Sequence, residues 1–234
     1  MGQDGSLVVV TGAGGALGRA VARAFAADGA RLLLIDARED ALAATARALE
    51  KEVETVSVDL TDDAAVSVKL TPLLDRLGPV KVLCNIAGGF DMGPAVHQTS
   101  GEMWRRLLDV NVTTMLNVCR AVVPHLLAAN GGAVINMGAA SAATGRAQMG
   151  AYCASKSAVA RLTESMAFEL RESGINVNAI APSIIDTPVN REAMPDADFG
   201  RWVTAEQLAD VFLFLASDKA KAIHGAVIPV VGLS

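Results

Sequence analysis

The stretch "LVVVTGAGGALGRAVARAFAADGARLLLID", residues 7–36, decides the fold. Two short apolar runs, "LVVV" (7–10) and "RLLLI" (31–35), suit strands buried on both faces. Between them "GRAVARAFAADGA" has helical periodicity and ends at Gly29, a plausible helix cap. Gly12, Gly14, Gly15 and Gly18 lie where the first strand turns into the helix. Glycine there permits a tight turn and lets backbone N–H groups approach a phosphate at a helix N-terminus. Gly12, Gly15 and Leu17 are the candidate contacts. The second strand ends at Asp36, within a βαβ unit of about 30 residues, where an acid can accept hydrogen bonds from an adenosine ribose. The other reading of Asp36 is an N-cap for the next helix. An acid here repels a 2′-phosphate and favours NAD. Arg38, able to receive that phosphate, keeps NADP as the alternative.

The same alternation continues along the chain. Further β-rich runs are "TVSV" (55–58), "VKVLCNI" (80–86), "AVINM" (133–137), "INVNAIA" (175–181) and "AVIPVV" (226–231). Helical segments include "DALAATARALEKE", 101–129, 151–172 and 204–217. The pattern predicts an α/β fold of the Rossmann type, doubly wound. Its seven-stranded parallel sheet carries helices on both faces, joined by right-handed crossovers. No repeat or linker divides the chain, so 1–234 reads as a single dinucleotide-binding domain. The least regular stretch, "PSIIDTPVNREAMPDADFGRW" (182–202), suits a substrate-covering segment at about 188–203.

Composition narrows the function. Apolar residues make up 52% of the 234 positions, slightly above the roughly 45–50% of soluble domains. Much of this is Ala and Gly, which fits close helix–sheet packing. No apolar run reaches the ~18 residues of a spanning helix. "MGQDGSLVVVTG" does not read as a signal peptide. The net charge of −5 gives no footprint for nucleic acid. Cys84, Cys119 and Cys153 form no CxxC pair, and His97, His125 and His224 are scattered. Neither a disulfide frame nor a metal site is expected, and a cytoplasmic location is.

Taken together, several motifs resemble the short-chain dehydrogenase/reductase family over nearly the whole chain. The TGxxxGxG loop is similar to Thr11–Gly18, with Ala16 for the middle glycine. The adenine-contacting acid after strand three matches Asp59, followed by Leu60. The NNAG motif appears as Asn85-Ile86-Ala87-Gly88, the helix-four asparagine as Asn111 in "DVNV", and the YxxxK pair as Tyr152 and Lys156. PGxxxT becomes Pro182-Ser183-Ile184-Ile185-Asp186-Thr187. One position departs: the catalytic serine, thirteen residues before the tyrosine, is Ala139, and Ser141 lies two residues later. A narrower resemblance is to dihydropteridine reductases. It rests on "GGALG", "CNIAGG", Met103-Trp104, the missing serine and "DTPVNREAMPDADFGRW".

The resemblance implies an NAD(P)-dependent oxidoreductase acting on a C=O or C=N group of a small molecule. Tyr152 and Lys156, at i and i+4, share a helix face. Tyr152 would donate the proton. The ammonium of Lys156 and the nicotinamide charge would draw its acidity down toward neutrality. The resemblance also assigns Lys156 to the nicotinamide ribose, and gives Asn111 a water linked to Lys156 through its backbone. It makes Thr187, with Ile185, the contact to the carboxamide. Thr187 also reads as a helix cap before Pro188. Trp202, Phe199 and Met194 either cover substrate or form a small core under the loop. Cys153 lies ~100° around the helix from Tyr152 and reads as packing.

Ala139 removes a donor to the substrate oxygen, which an activated quinonoid dihydropteridine needs less than a simple ketone does. The competing functions are a carbonyl reductase, for example of 3-oxoacyl thioesters, and a non-catalytic dinucleotide-binding sensor. The segments 101–129 and 151–172 resemble the family's assembly helices, implying a homotetramer or homodimer.

Overall fold

The computed structural model describes residues 5–49 and 51–234. The chain runs β1 (Leu7–Thr11), α1 (Ala16–Ala27), β2 (Arg31–Asp36), α2 (Glu39–Ala48), β3 (Glu54–Ser57), α3 (Asp63–Leu77) and β4 (Val80–Asn85). Then come α4 (Gly101–Leu108), α5 (Thr114–Ala128), β5 (Gly132–Met137), α6 (Gly150–Leu170) and β6 (Ile175–Pro182). The rest is β7 (Ile185–Asp186), α7 (Pro188–Ala193), β8 (Val203–Thr204), α8 (Ala205–Ala216) and β9 (Val227–Val230). The reading of "MGQDGSLVVVTG" as unlike a signal peptide rests partly on residues 1–4, which lie outside the described residues. So does Glu50 of the second helical segment.

Seven strands form one sheet in the order β3-β2-β1-β4-β5-β6-β9. Every pairing is parallel. The order reverses between β1 and β4, and such a switch point opens a crevice at the carboxyl ends of the strands. Alternate residues of each strand feed opposite faces. Val8, Val10, Leu32 and Leu34 pack with Val21 and Phe25 of α1 and Leu208 and Phe212 of α8. Val9, Leu33 and Ile35 pack with Leu70 and Leu74 of α3, Val118, Val122 and Leu126 of α5, and Val159 of α6. Both layers are built from buried apolar side chains, so truncating Phe25, which is fully buried, costs about 3–5 kcal/mol.

The expected strands match the observed ones to within a residue at each end. Two helical features differ. The segment 101–129 is interrupted by a π-helical turn, Asp109–Thr113, which carries Asn111. The helix α3, assigned no element from sequence, is capped by the Asp62 side chain, which accepts from the Ala65 N–H at 2.9 Å. It buries Val66, Leu70, Leu74 and Leu77 at helical spacing. Among the described residues no helix is long and apolar enough to cross a membrane.

Candidate active site

The β1–α1 turn is folded back on itself. Gly12 has φ +65°, and a Cβ there would lie 3.0 Å from the Ala87 nitrogen. A Cβ on Gly18 would lie 2.2 Å from the Gly12 carbonyl oxygen, so only hydrogen fits. Helix α1 starts after Gly15 with no side-chain cap. Its first N–H groups, Leu17 among them, have no intrahelical acceptor. Thr11 ties this turn to the end of β4. Its hydroxyl accepts from the N–H groups of Ile86 (3.0 Å) and Ala87 (3.1 Å).

Asp36 ends β2 and is 8% exposed. Its Oδ2 accepts from Gly14 N–H at 2.9 Å and its Oδ1 from Arg38 N–H at 3.0 Å. The Arg38 Nε stands 3.5 Å from Oδ1. Arg38, not Asp36, occupies the N-cap position of α2, so the capping alternative is not realised. Each carboxylate oxygen keeps a further lone pair for a ribose hydroxyl. Asp59 lies exposed beyond β3, its Oδ1 accepting from Thr61 N–H (2.9 Å) and hydroxyl (2.7 Å). Leu60 beside it is buried, and its carbonyl accepts from Asn117 Nδ2 at 3.0 Å.

Asn85, expected at the cofactor, turns its side chain into the sheet. Its Nδ2 donates to Asn136 Oδ1 (2.9 Å) and Cys119 Sγ (3.4 Å). Its Oδ1 is buried without a partner among the described residues. Only the backbone of Asn85 is left to face a ligand. Ala87 and Gly88 follow at the rim. A Cβ on Gly88 would meet Asn111 Oδ1 at 2.7 Å and Lys156 Nζ at 3.3 Å, which places the three together.

Asn111 is a clamp. Its Oδ1 accepts from Gly89 N–H (3.0 Å), and its Nδ2 donates to Gly89 carbonyl (3.0 Å) and to Ser155 Oγ (3.1 Å). The π turn presents it, as such turns often do at functional positions. Ser155, fully buried on α6, passes its own hydroxyl to the Tyr152 carbonyl at 2.8 Å. The β4 turn, the π turn and α6 are thereby fixed to each other.

Lys156 is buried, and its Nζ donates to the Met137 carbonyl at 2.8 Å, leaving two donors free. Burial pulls its pKa down to about 8. Burial pushes Tyr152 the other way, up to about 12, with the nearby Cys153 thiol adding to the rise. Burial thus acts against the acidifying pull expected from Lys156 and the nicotinamide charge. In the protein alone desolvation dominates, and Lys156 is directed at Met137. The Tyr152 ring meets Phe90 edge-on, with centroids 4.9 Å apart at 79°. Phe90 is 58% exposed and so forms an apolar wall beside the phenol.

Ala139 is buried at the start of the one-turn helix Ala140–Ala143. Ser141 lies inside that turn. Its carbonyl accepts from Cys153 Sγ at 3.4 Å, so the turn's backbone faces the Cys153 side of α6.

The segment after β6 is internally braced. Pro182 is buried in β6, and Ile185 pairs with Val203. Thr187 caps α7, its Oγ1 accepting from Asn190 N–H at 3.3 Å, as the capping alternative required. The Ile185 carbonyl accepts from Asn190 Nδ2 at 2.7 Å. Asp186 and Arg191 form a two-pronged pair at 2.6 and 2.7 Å, which lowers the Asp186 pKa. Arg191 lies over the Phe199 ring at 4.8 Å, and Phe199 packs on Trp202 with centroids 4.8 Å apart. Trp202 is buried, the small core under the loop.

Lys156, Asn111 and Gly88 thus converge, and the Tyr152 ring lies against Phe90, two residues on from Gly88. Gly12, Gly15, Leu17 and Asp36 line the β1–β2 side. Sequence reasoning missed Thr11, Ser155 and Phe90 as contributors. Among the described residues no group of three or more His, Cys, Asp or Glu could hold a metal.

Comparison with known proteins places this arrangement. Residues 6–198 match the family model described as short chain dehydrogenase. The chain is 35% identical to a sorbitol dehydrogenase of Cereibacter sphaeroides, covering 94% of this chain and 93% of that protein. It is also 35% identical to a meso-2,3-butanediol dehydrogenase of Serratia marcescens, covering 98% and 94%. Among solved structures, a carveol dehydrogenase from Mycobacterium avium in complex with NAD superposes with a TM-score of 0.91. It is 25% identical and covers 99% of this chain and 98% of that one.

Proposed function

The chain belongs to the short-chain dehydrogenase family, and on that premise we propose that it interconverts a secondary alcohol and its carbonyl compound with NAD. The convergence of Lys156 and Asn111 beside Gly88, with Tyr152 one helical turn before Lys156 and its ring against Phe90, carries this reading. The uncapped start of α1, the glycine turn that admits no Cβ, and the carboxylate of Asp36 fit a dinucleotide. Gly12, Gly15 and Leu17 hold its phosphates and Asp36 its ribose. Asp59, Leu60 and the backbone of Asn85, Ala87 and Gly88 flank the adenosine. Pro182, Ile185 and Thr187 flank the nicotinamide. The carboxylate of Asp36 opposes a 2′-phosphate, so NAD is preferred over NADP. The chain works as one domain whose segment 188–203 covers the substrate.

The dinucleotide, when bound, supplies or accepts a hydride. Tyr152 gives its phenolic proton to the substrate oxygen in reduction and takes it back in oxidation. With its pKa raised by burial, Tyr152 starts as a neutral phenol, the form suited to donation. Oxidation requires the phenolate, which the charge of the oxidised dinucleotide and the Lys156 ammonium favour. Lys156 has two donors left for ribose hydroxyls, and Asn111 holds the turn and α6 at fixed spacing. Phe90 keeps water from one side of the phenol.

The substrate reading follows the relatives, which are a polyol and a diol dehydrogenase. A second reading, reduction of a quinonoid dihydropteridine, is favoured by Ala139, since a conjugated substrate needs less polarisation. The test is turnover with NAD or NADH on 2,3-butanediol, sorbitol, acetoacetyl thioester and quinonoid dihydropterin, side by side. The expected result is highest kcat/KM on the diol or polyol. A higher value on the dihydropterin selects the second reading. Binding of NADH with no turnover of any of the four, by NADH or NADPH, sinks both and leaves the sensor reading.

A further inference from the structure

The segment between β6 and α8 leaves the sheet at Ser183 and returns at Arg201. Both points are held by the same four residues that follow β9. The Ser183 hydroxyl donates to the Val231 carbonyl at 2.8 Å and meets the Ser234 hydroxyl at 2.7 Å. The Ser183 N–H reaches the Val230 carbonyl at 3.3 Å. At the other end, Leu233 N–H donates to the Arg201 carbonyl at 3.0 Å. The Arg201 guanidinium donates to the Leu233 carbonyl. Gly232 makes the fit. It has φ +58°, and a Cβ would stand 2.9 Å from the Arg201 carbonyl oxygen and 3.3 Å from Val203 Cγ2. Only glycine takes both that backbone and that space without strain.

We propose that residues 231–234 are a latch that fixes the mouth of the substrate-covering segment, with Ser183, Arg201 and Gly232 as its positioning residues. Within the mouth, the segment is braced by its own contacts: Ile185 against Val203, Asp186 with Arg191, and Phe199 on Trp202. These hold the loop's shape, and buried Val203 joins its far end to the core beside Leu208 and Phe212. The latch adds a second anchorage, fastening departure and return to the residues that directly follow β9. Ser183 stands where the family pattern that the chain resembles has glycine, so the hydroxyl that reaches 231 and 234 is a feature of this chain. Holding both ends of a loop removes conformational freedom that a ligand would otherwise have to quench on binding. The latch therefore acts on substrate affinity and leaves the proton donor alone. The proposal rests on the reading of 188–203 as the substrate cover.

The test uses Ser183→Gly and Gly232→Val, with Ser183→Thr as the variant that keeps the hydroxyl. Trypsin cleavage after Arg191 and Arg201 reports this anchorage without any substrate. Steady-state kinetics report KM against kcat. In Ser183→Gly and Gly232→Val, cleavage is expected about fivefold faster and KM about fivefold higher, the loss of roughly one net hydrogen bond, with kcat within about twofold. NADH affinity is expected unchanged, and Ser183→Thr to behave as the parent. If Gly232→Val does not fold, Ser183→Gly alone decides. Unchanged cleavage overturns the latch, whether or not the parent turns over any substrate. Faster cleavage with unchanged KM overturns the positioning role while leaving the hydride-transfer reading intact. A parent that binds NADH but turns over nothing defeats that reading, and with it the effect of the latch on KM.

Discussion

At the β1–α1 turn the chain meets itself through backbone. A Cβ at Gly18 would collide with the Gly12 carbonyl, and one at Gly12 would touch Ala87 nitrogen. Around Tyr152, by contrast, the contacts are made by side chains: Asn111 to Ser155, Lys156 to the Met137 carbonyl, Phe90 against the phenol ring. The first region has almost no latitude, because any added atom must displace main chain. The second can be altered one side chain at a time, as the alanine at 139 in place of the pattern's serine illustrates. On the proposed reading, dinucleotide binding and substrate choice are carried by materials of different tolerance.

The sharpest attempt to break this contrast is Tyr152→Phe. Turnover is expected to fall by about 10²–10⁴-fold with dinucleotide affinity kept. Stopped-flow hydride transfer beside an NADH fluorescence titration checks it, and a parallel loss of affinity would mean that the two regions are not separable.

Lys156 gives the next effect. Its folded pKa of about 8 lies below the ordinary 10.5. Between these values the unfolded chain binds the extra proton, so the penalty in force below pH 8 is lifted as pH rises. Between pH 7.5 and 10 the parent is expected to gain about 2 kcal/mol of stability relative to Lys156→Met, the ionisation of Tyr152 being common to both. Urea unfolding at the two pH values measures it. Equal slopes for the two proteins would remove the buried ammonium from the account.

Asp36→Ala sharpens the contrast from the other side, since this carboxylate is the charged side chain at the backbone-built end. NADH affinity is expected to drop about tenfold and NADPH affinity to rise, with kcat at saturation nearly unchanged. The smallest effect is a gain. Ala139→Ser is expected to raise kcat/KM on simple ketones about threefold, and by less on a conjugated substrate. A loss on ketones would show that the turn at 140–143 cannot present a hydroxyl to the substrate.

The sheet was legible because a parallel strand covered on both faces is a near-continuous apolar run, as in β1, β2 and β4, while the partly buried edge strands β3 and β9 were read from their β-branched residues. The glycine turn and the Tyr152–Lys156 pair were legible because their spacing is local. What stayed hidden depends on contacts distant in sequence. Thr11 meets Ile86 across 75 residues, and Asn111 meets Ser155 across 44. Threonine and serine are too common to announce such a role. The side-chain partner of Asn85 was hidden because an amide at a strand end serves equally as ligand contact or internal brace, and here it bonds Asn136, 51 residues on. The desolvation that raises the Tyr152 pKa was hidden because it depends on what packs around the phenol.

The π turn at Asp109–Thr113 has a consequence for how this chain tolerates change in length. An extra residue in one helical turn advances everything after it by ~100°. Because the turn is there, Val118, Val122 and Leu126 of α5 face the sheet while Asn111 faces Gly89 and α6. Deleting any one residue from 109–113 would restore a regular helix and rotate that apolar stripe off the core. The asparagine at the crevice and the packing of α5 are therefore set by one phase. Deleting Asp109, Val110, Val112 or Thr113 would be felt as a loss of fold, although Tyr152, Lys156 and Asn111 all remained in the chain.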